Sequence, residues 1–136
     1  EEAVLNYITT DNNRFVNPQF CLDYDKDKNT GGSLPDFVVL DFKEKTVYIV
    51  EVTQSYDLLK LFSKVNERET RWIRPIKEAL DDSFKYWDYH VTLFLREDRQ
   101  EYATKKIGQY KDNNVSVISL KNIDIFIPYC VEIYTP

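Results

Sequence analysis

Two acidic residues, Asp36 and Glu51, lie in β-prone segments in which their carboxylates could bind a metal ion. Asp36 follows Pro35 at the start of the β-prone run DFVVLDF, and Glu51 interrupts a second run, TVYIVEVT. An ionised carboxylate in a buried strand is costly unless it is paired, hydrogen-bonded or bound to a metal ion. Two such groups brought together, with the Val52 carbonyl as a further ligand, could hold a hard divalent cation through oxygen atoms. A cation held in this way can activate water and offset charge on a phosphoryl group.

The two runs are joined by the short polar segment KEK, and this pattern predicts an antiparallel hairpin. Because side chains alternate across a strand, Val47, Ile49, Glu51 and Thr53 should share one face of the sheet. The start of one hairpin strand lies beside the end of the other, so Asp36 and Glu51 are expected near one sheet edge. The alternative is that Glu51 is a solvated strand end or the partner of a nearby cation, and that Pro-Asp is a simple turn.

The other patterns predict elements in the order α-β-β-β-α-β-α-β, followed by a β-prone tail. EEAVLNYI has the spacing of a short helix, and RFVNPQFCLDYD suggests a strand around Phe20, Leu22 and Tyr24. Residues 57–81 have helical spacing, and Pro75 should kink or break that helix. The apolar positions of this stripe are Leu58, Phe62, Val65, Trp72, Ile76 and Leu80. A hairpin followed by a crossover helix predicts an α/β fold, a mixed sheet flanked by helices.

Length and composition narrow the classes of protein further. The chain has 136 residues, for which one domain is expected, and it contains neither a GxxxxGK[ST] nor a GxGxxG motif. Cys21 and Cys130 are interpreted as free thiols in core strands. No apolar run reaches membrane-spanning length and no signal-like start occurs, so we expect no membrane partner and a cytoplasmic setting. The start at Glu1, without Met, allows for a fragment of a longer chain.

The formal net charge is −5, which counts against a protein that binds nucleic acid over its whole surface. This net charge is compatible with a local basic face, and an excess of acidic residues suits a protein that binds metal ions. A cationic run lies in the second half of the predicted helix and consists of Arg68, Arg71, Arg74 and Lys77. Guanidinium groups bind phosphate bidentately, so the three arginines are candidate nucleic-acid contacts. Glutamates within the run favour the alternative, a solvated face with i,i+4 ion pairs.

The residues Pro35-Asp36, a gap of fourteen, and then Glu51-Val52-Thr53 resemble the motif of the PD-(D/E)XK nuclease superfamily. The predicted order of elements also resembles that family's restriction-endonuclease-like core, α-β-β-β-α-β, with a C-terminal helix and strands added. The resemblance covers roughly residues 1 to 96. It implies that Asp36 and Glu51 hold Mg²⁺ or Mn²⁺, helped by the Val52 carbonyl, and that a lysine after the glutamate positions or activates the attacking water.

Thr53 occupies the lysine position of this motif. A hydroxyl cannot stabilise an attacking hydroxide as an ammonium group can, and it is a poor base near neutral pH. Either the site is inactive or the positive charge comes from elsewhere. In some members of the superfamily, among them retrotransposon restriction-like endonucleases, the lysine has moved to the following helix, and EVTQSYDLLKLFSKV is similar to that arrangement. Lys64, thirteen residues after Glu51, is then the first candidate and Lys60 the second, against the alternative of solvated lysines.

Two further titratable residues are weaker candidates. His90 is the only histidine and has no acidic or cysteine neighbour at ligand spacing, so we interpret it as a core or edge residue. Glu2 begins the first predicted helix. In the superfamily that the motif resembles, an acidic residue on the first helix sometimes joins the metal site, so Glu2 is a candidate third ligand. The alternative for Glu2 is the ordinary preference of a helix N-terminus for negative charge.

The sequence therefore predicts a metal-dependent endonuclease that hydrolyses phosphodiester bonds in nucleic acid, with DNA preferred over RNA. The alternative is a catalytically inactive module with a nuclease fold that serves binding or assembly, which the threonine in the lysine position and the acidic pI favour. A third hypothesis is a toxin-like or effector nuclease domain cut from a larger chain. The expected partners are nucleic acid and either a second copy of the chain or a larger chain or complex.

Overall fold

The computed structural model describes residues 2–9, 13–18, 35–109 and 114–121. Within these ranges the elements follow the predicted order. They are α1 (Glu2–Ile8), β1 (Arg14–Pro18), β2 (Phe37–Asp41), β3 (Thr46–Val52), α2 (Leu59–Asn66), a π-helical segment (Glu69–Ile73), α3 (Arg74–Ala79), a 3-10 turn (Asp82–Phe84), β4 (Asp88–Leu95), α4 (Glu97–Ile107) and β5 (Val115–Ser119). The strand expected around Phe20, the β-prone tail, Cys21 and Cys130 lie outside the described residues.

The five strands form one mixed sheet in the order β1-β2-β3-β4-β5. The β1–β2 and β2–β3 pairs are antiparallel, whereas the β3–β4 and β4–β5 pairs are parallel. Parallel neighbours need a crossover connection, and α2, α3 and α4 supply it. The predicted α/β class, with a mixed sheet and a hairpin at its centre, is confirmed.

The hairpin between β2 and β3 is closed by the carboxylate of Asp41, which is almost fully buried. Asp41 Oδ1 accepts hydrogen bonds from the backbone N–H groups of Lys43 and Glu44, and its Oδ2 accepts one from Arg14 Nε. Lys45 completes the turn with a positive φ of 51°. Hydrogen bonds from a side chain to nearby backbone groups fix the conformation of a turn, and the turn then sets the register of the two strands.

Apolar side chains pack on both faces of the sheet. On one face Val47 and Ile49 of β3 lie in a single buried cluster with residues of α2, α3 and α4. On the other face Val50 packs in a second cluster with Val4 and Ile8 of α1. Because side chains alternate along a strand, the first face also carries Glu51, as the sequence predicts.

The helical segment at residues 57–81 is divided earlier than Pro75. α2 ends at Asn66, and a π-helical segment then precedes α3, with the N–H of Arg74 donating to the carbonyl of Glu69. Pro75 lies in the first turn of α3, directly after the π-helical segment, and cannot donate to a carbonyl of that segment. The irregularity predicted at the proline is therefore found in the turn before it, and the apolar stripe is buried as predicted except for Leu80, which is partly buried.

The helix α4 packs on the same face as Glu51 through Ala103 and Ile107. Its first turn contains acidic residues and its last turn basic ones, an order that complements the helix dipole. Among the described helices, none is long and apolar enough to cross a membrane. The first turn of α4 lies at the carboxyl ends of the parallel strands.

Candidate functional site

Asp36 and Glu51 lie side by side at the end of the central hairpin. The register of β2 and β3 pairs Phe37 with Val50, and one further step places Asp36 directly across from Glu51. Directly opposite residues of an antiparallel pair project to the same face, with Cβ atoms about 4.5–5.5 Å apart. The hairpin therefore brings Asp36 and Glu51, the two acidic residues that the sequence singles out, to the same end of the sheet, at the carboxyl end of β3.

The carboxylate of Asp36 is tied to the backbone of β3. Its Oδ2 accepts a hydrogen bond of 2.7 Å from the N–H of Val52. One more step in the register puts Pro35 across from Val52, and proline has no N–H to donate. Since the N–H and C=O groups of one strand residue point to the same neighbour, the Val52 carbonyl faces the side of Asp36 and receives no ladder bond from Pro35.

Glu51 lies in surroundings of low polarity. Its side chain is only 8% exposed, and its partner in the parallel register of β4 is the fully buried Leu93. This burial rules out the alternative in which Glu51 is a solvated strand end. A buried carboxylate requires hydrogen-bond donors or a counter-charge, and a divalent cation shared with Asp36 would supply such a charge.

The oxygen atoms at this end of the sheet are suitable ligands for a hard cation. Two carboxylates and one backbone carbonyl are oxygen ligands of the type that Mg²⁺ and Mn²⁺ prefer, and water commonly fills the remaining positions. Among the described residues, no group of three or more His, Cys, Asp or Glu side chains could hold a metal ion. Glu2, the candidate third ligand, begins α1, which packs on the opposite face of the sheet, and its side chain lies outside the described residues.

The lysines of α2 differ in their placement. The buried side of α2 consists of Leu61, Phe62 and Val65, which pack on the face that carries Glu51. Lys64, half-buried, follows Leu61 by three residues and borders this buried stripe. Lys60 is exposed and lies on the far side of the helix. Of the two predicted lysines, Lys64 therefore lies closer to the buried side of α2, whereas Lys60 lies in the first turn, nearer the end of β3.

Arg68 lies inside the protein rather than on a cationic surface. Only 7% of it is exposed. Its Nε donates to Oδ1 of Asn114 at 2.8 Å and one terminal nitrogen donates to the carbonyl of Val65 at 2.9 Å. These bonds tie the end of α2 to the start of β5. Burial argues against the predicted phosphate contact by Arg68 and gives this side chain a structural role.

The other cations of the predicted run remain closer to the surface. Arg71 is half-buried and forms an i,i+4 ion pair with Glu67, with 2.7 Å between the guanidinium nitrogen and the carboxylate oxygen. Arg74 is exposed. Lys77 lies over the ring of Tyr89, 4.9 Å from its centroid. A nucleic-acid contact by this segment would therefore depend on Arg74 first and on Arg71 second.

Comparisons of the chain with protein-family models, with curated proteins and with solved structures give no match. The interpretation of the site therefore depends on its own geometry. That geometry consists of Asp36 and the buried Glu51 at one end of the hairpin, with the Val52 carbonyl on the side of Asp36. Such a site can hold a divalent cation next to a substrate oxygen and so promote hydrolysis.

One side chain at the same end of the sheet, Arg99, is not among the predicted site residues. Arg99, in the first turn of α4, lies between two tyrosine rings, with its guanidinium carbon 4.1 Å from the centroid of Tyr56 and 4.4 Å from that of Tyr102. Arg99 precedes the buried Ala103 and Ile107 by four and eight residues. An arginine in line with the apolar stripe of a helix is the sequence signal that could have identified it.

His90 lies away from the carboxylate pair. It alternates with Leu93, so it projects to the sheet face opposite Glu51, beside Tyr48, whose ring centroid is 5.8 Å away. Its Nε2 is 2.6 Å from Oγ of Ser116. This half-buried, hydrogen-bonded position matches the interpretation of His90 as an edge or core residue.

The burial of His90 makes stability depend on pH. Burial lowers the pKa of His90 below its ordinary 6.5, so the unfolded chain binds this proton more readily than the folded protein. Stability is therefore complete above the unfolded pKa and falls as the pH drops through about 6.5, until the lower folded pKa is passed. We expect the free energy of unfolding in urea to decrease from about pH 7.5 to about pH 5.

A His90→Gln variant is the control for this prediction, because glutamine keeps a polar partner for Ser116 but does not titrate. Since the chain has a single histidine, the difference between wild type and variant isolates its contribution. Identical pH dependence of the two proteins between about pH 7.5 and pH 5 would contradict the assignment of a lowered pKa to His90.

Proposed function

We propose that this protein is a metal-dependent nuclease that hydrolyses phosphodiester bonds, in DNA in preference to RNA. The observation that carries the proposal is the placement of Asp36 directly across from the buried Glu51, with Asp36 bonded to the N–H of Val52. The order of the described elements and their mixed sheet support it, since they resemble the PD-(D/E)XK core, as the motif does.

In this proposal each residue has a separate task. Asp36 and Glu51 bind Mg²⁺ or Mn²⁺, and the Val52 carbonyl adds an oxygen ligand on the same side. The bound cation lowers the pKa of a coordinated water and offsets charge on the phosphoryl group. The leucine that lies beside Glu51 on β4 keeps that side of the site dry, which strengthens electrostatic attraction. Lys64 balances negative charge that develops in the transition state.

The proposal is tested by incubating the protein with single-stranded DNA, duplex DNA and RNA in Mn²⁺, in Mg²⁺ and in EDTA. We expect cleavage that requires the divalent ion. Lys64→Ala should lower the rate by about 10²-fold, the usual loss when one charge-stabilising group is removed. Lys60→Ala, on the exposed side of the same helix, is the matched control and should keep the wild-type rate.

These variants separate two conclusions. Equal rates for Lys64→Ala and Lys60→Ala would remove Lys64 from the mechanism but leave the metal site standing. Absence of cleavage under every condition, for all three substrates, would contradict the nuclease function itself.

A second candidate function is an inactive module that keeps this arrangement for binding or assembly. The observation that favours it is the state of Thr53, at the motif's lysine position. Its Oγ1 accepts a hydrogen bond from the N–H of Ser55 at 3.1 Å, and its own N–H donates to the carbonyl of Phe94. Thr53 thus shapes the exit from β3. This candidate requires both no cleavage and no rise in melting temperature with Mg²⁺ or Mn²⁺, since a ligand of the folded state must stabilise it.

A further inference from the structure

The Arg99 cluster is made of Arg99 and the rings of Tyr56 and Tyr102; Arg96 also lies over the Tyr56 ring, 5.8 Å from its centroid. Tyr56 follows β3, and Tyr102 lies one turn after Arg99 on α4, with its ring 5.9 Å from that of Phe62. The two tyrosine side chains are 59% and 46% exposed. The guanidinium carbon of Arg99 therefore lies over two rings that still reach solvent, and these contacts gain cation–π energy.

Within the described part of the chain, Arg99 forms no ion pair with a carboxylate, whereas its neighbour Arg96 does. Its buried Nε–H finds no hydrogen-bond acceptor among the described residues. By contrast, the two acidic residues of the first turn of α4 are engaged elsewhere: Asp98 pairs with Arg96 at 2.8 Å and Glu97 with Lys121 at 3.3 Å. A guanidinium group held against tyrosine rings, at a site where nearby acids are already paired, keeps its charge for a ligand.

The cluster lies at the same end of the sheet as the carboxylate pair. Glu51 pairs in register with Leu93, and β4 ends two residues later, directly before α4 begins. Tyr56 is five residues beyond Glu51. Ligands of open α/β sheets bind outside the carboxyl ends of parallel strands, where the connecting loops meet. Arg99, Tyr56 and Glu51 thus lie at the end of the sheet where such ligands bind.

We propose that Arg99 and Tyr56 bind a nucleic-acid strand with unpaired bases, with the guanidinium on a phosphate and the exposed tyrosine ring stacked on a base. The inference builds on the proposed function and specifies its substrate class. Aromatic stacking and a small number of cations are the means by which proteins bind single strands. Duplex binding depends on many phosphate contacts, and a chain with a net charge of −5 is poorly suited to it.

The test is fluorescence anisotropy with a labelled oligo-dT strand and a labelled duplex hairpin, in EDTA so that no cleavage occurs. We expect the wild type to bind the single strand more tightly than the duplex. Tyr56→Leu and Arg99→Gln should each weaken single-strand binding by about tenfold. Arg99→Gln should also reduce the slope of log K against log salt by about 0.7, the value for one phosphate contact on a single strand.

Tyr86→Leu is the matched control, because Tyr86 is 95% exposed and precedes β4, at the opposite end of the sheet. It should bind as the wild type does. If Arg99→Gln does not fold, the affinity of Tyr56→Leu alone tests the inference, since the exposed Tyr56 ring can be replaced without loss of core packing. Unchanged affinity in Tyr56→Leu, equal affinity for strand and duplex, or no binding of either oligonucleotide would overturn the inference.

The outcome is separate from that of the nuclease proposal. Metal-dependent cleavage by the wild type, together with unchanged binding by Tyr56→Leu and Arg99→Gln, would overturn this inference alone. Single-strand binding that depends on both residues, without cleavage in any divalent ion, would support this inference and count against the nuclease chemistry.

Discussion

Glu51→Gln is expected to abolish Mn²⁺-dependent cleavage while leaving the protein folded. Glutamine has nearly the shape of glutamate, so the packing beside Leu93 is preserved, but it lacks the charge that holds a divalent cation. Loss of a ligand from a site with two carboxylates should lower the cleavage rate by at least about 10²-fold, a typical loss when one charge-stabilising group is removed from a preorganised site. Cleavage rates are measured with the wild type and the variant at saturating Mn²⁺.

The same substitution should change how the metal ion affects stability. A ligand present at 100 times its dissociation constant stabilises the folded state by about 2.7 kcal/mol, and this gain should be absent from Glu51→Gln. Without metal the variant should stay folded, because glutamine keeps nearly the same shape at this buried position.

Glu44→Gln is the matched control. Glu44 is an exposed glutamate in the turn at the other end of the same hairpin, so its loss changes the net charge equally without touching the site. It should keep both the wild-type cleavage rate and the stabilisation by Mn²⁺. Full activity in Glu51→Gln, or an equal loss in both variants, would contradict the assignment of Glu51 as a metal ligand.

Substitutions of Asp36 should separate its structural task from its chemical one. The amide oxygen of asparagine can still accept the hydrogen bond from Val52, so Asp36→Asn should stay close to wild-type stability. Alanine cannot accept it. The N–H of Val52 then loses its partner at a partly buried position, and Asp36→Ala should lose about 1–3 kcal/mol in the free energy of unfolding. Urea unfolding in EDTA measures both values.

Both Asp36 variants should lose cleavage and stabilisation by Mn²⁺, since neither supplies a carboxylate. We therefore expect Asp36→Asn to keep its stability but lose metal binding, and Asp36→Ala to lose both. Equal stability of the two variants would show that the bond to Val52 contributes little. Mn²⁺ stabilisation retained by Asp36→Asn would contradict its role as a metal ligand.

The sequence predicts the features that depend on local pattern. Alternation along β3 places Glu51 on the face of α2 and α4, and the KEK segment predicts the hairpin that brings Asp36 beside it. The apolar spacing of residues 57–81 predicts which helical side chains are buried. Each of these depends on strand or helix period, which can be read from neighbouring residues.

Features that depend on contacts between distant elements could not be predicted in this way. The burial of Arg68 arises from Asn114, which lies 46 residues away. Apolar spacing does not encode the π-helical segment that lies directly before Pro75, although the proline predicts an irregularity there. The position of Arg99 between two tyrosines requires the loop after β3 to meet the first turn of α4. The charge pattern of the sequence indicates Arg68 and not Arg99, and only tertiary packing distinguishes their roles.

The most direct test of the metal site is a crystal structure of the protein soaked in Mn²⁺, with anomalous diffraction recorded at the manganese edge. We expect one anomalous peak between the carboxylates of Asp36 and Glu51, with metal–oxygen distances of about 2.1 Å and the Val52 carbonyl on the same side. Lys64 should lie within about 6 Å of the ion, the range over which a charge influences its neighbours. A peak elsewhere, or none beside Glu51, would contradict the site.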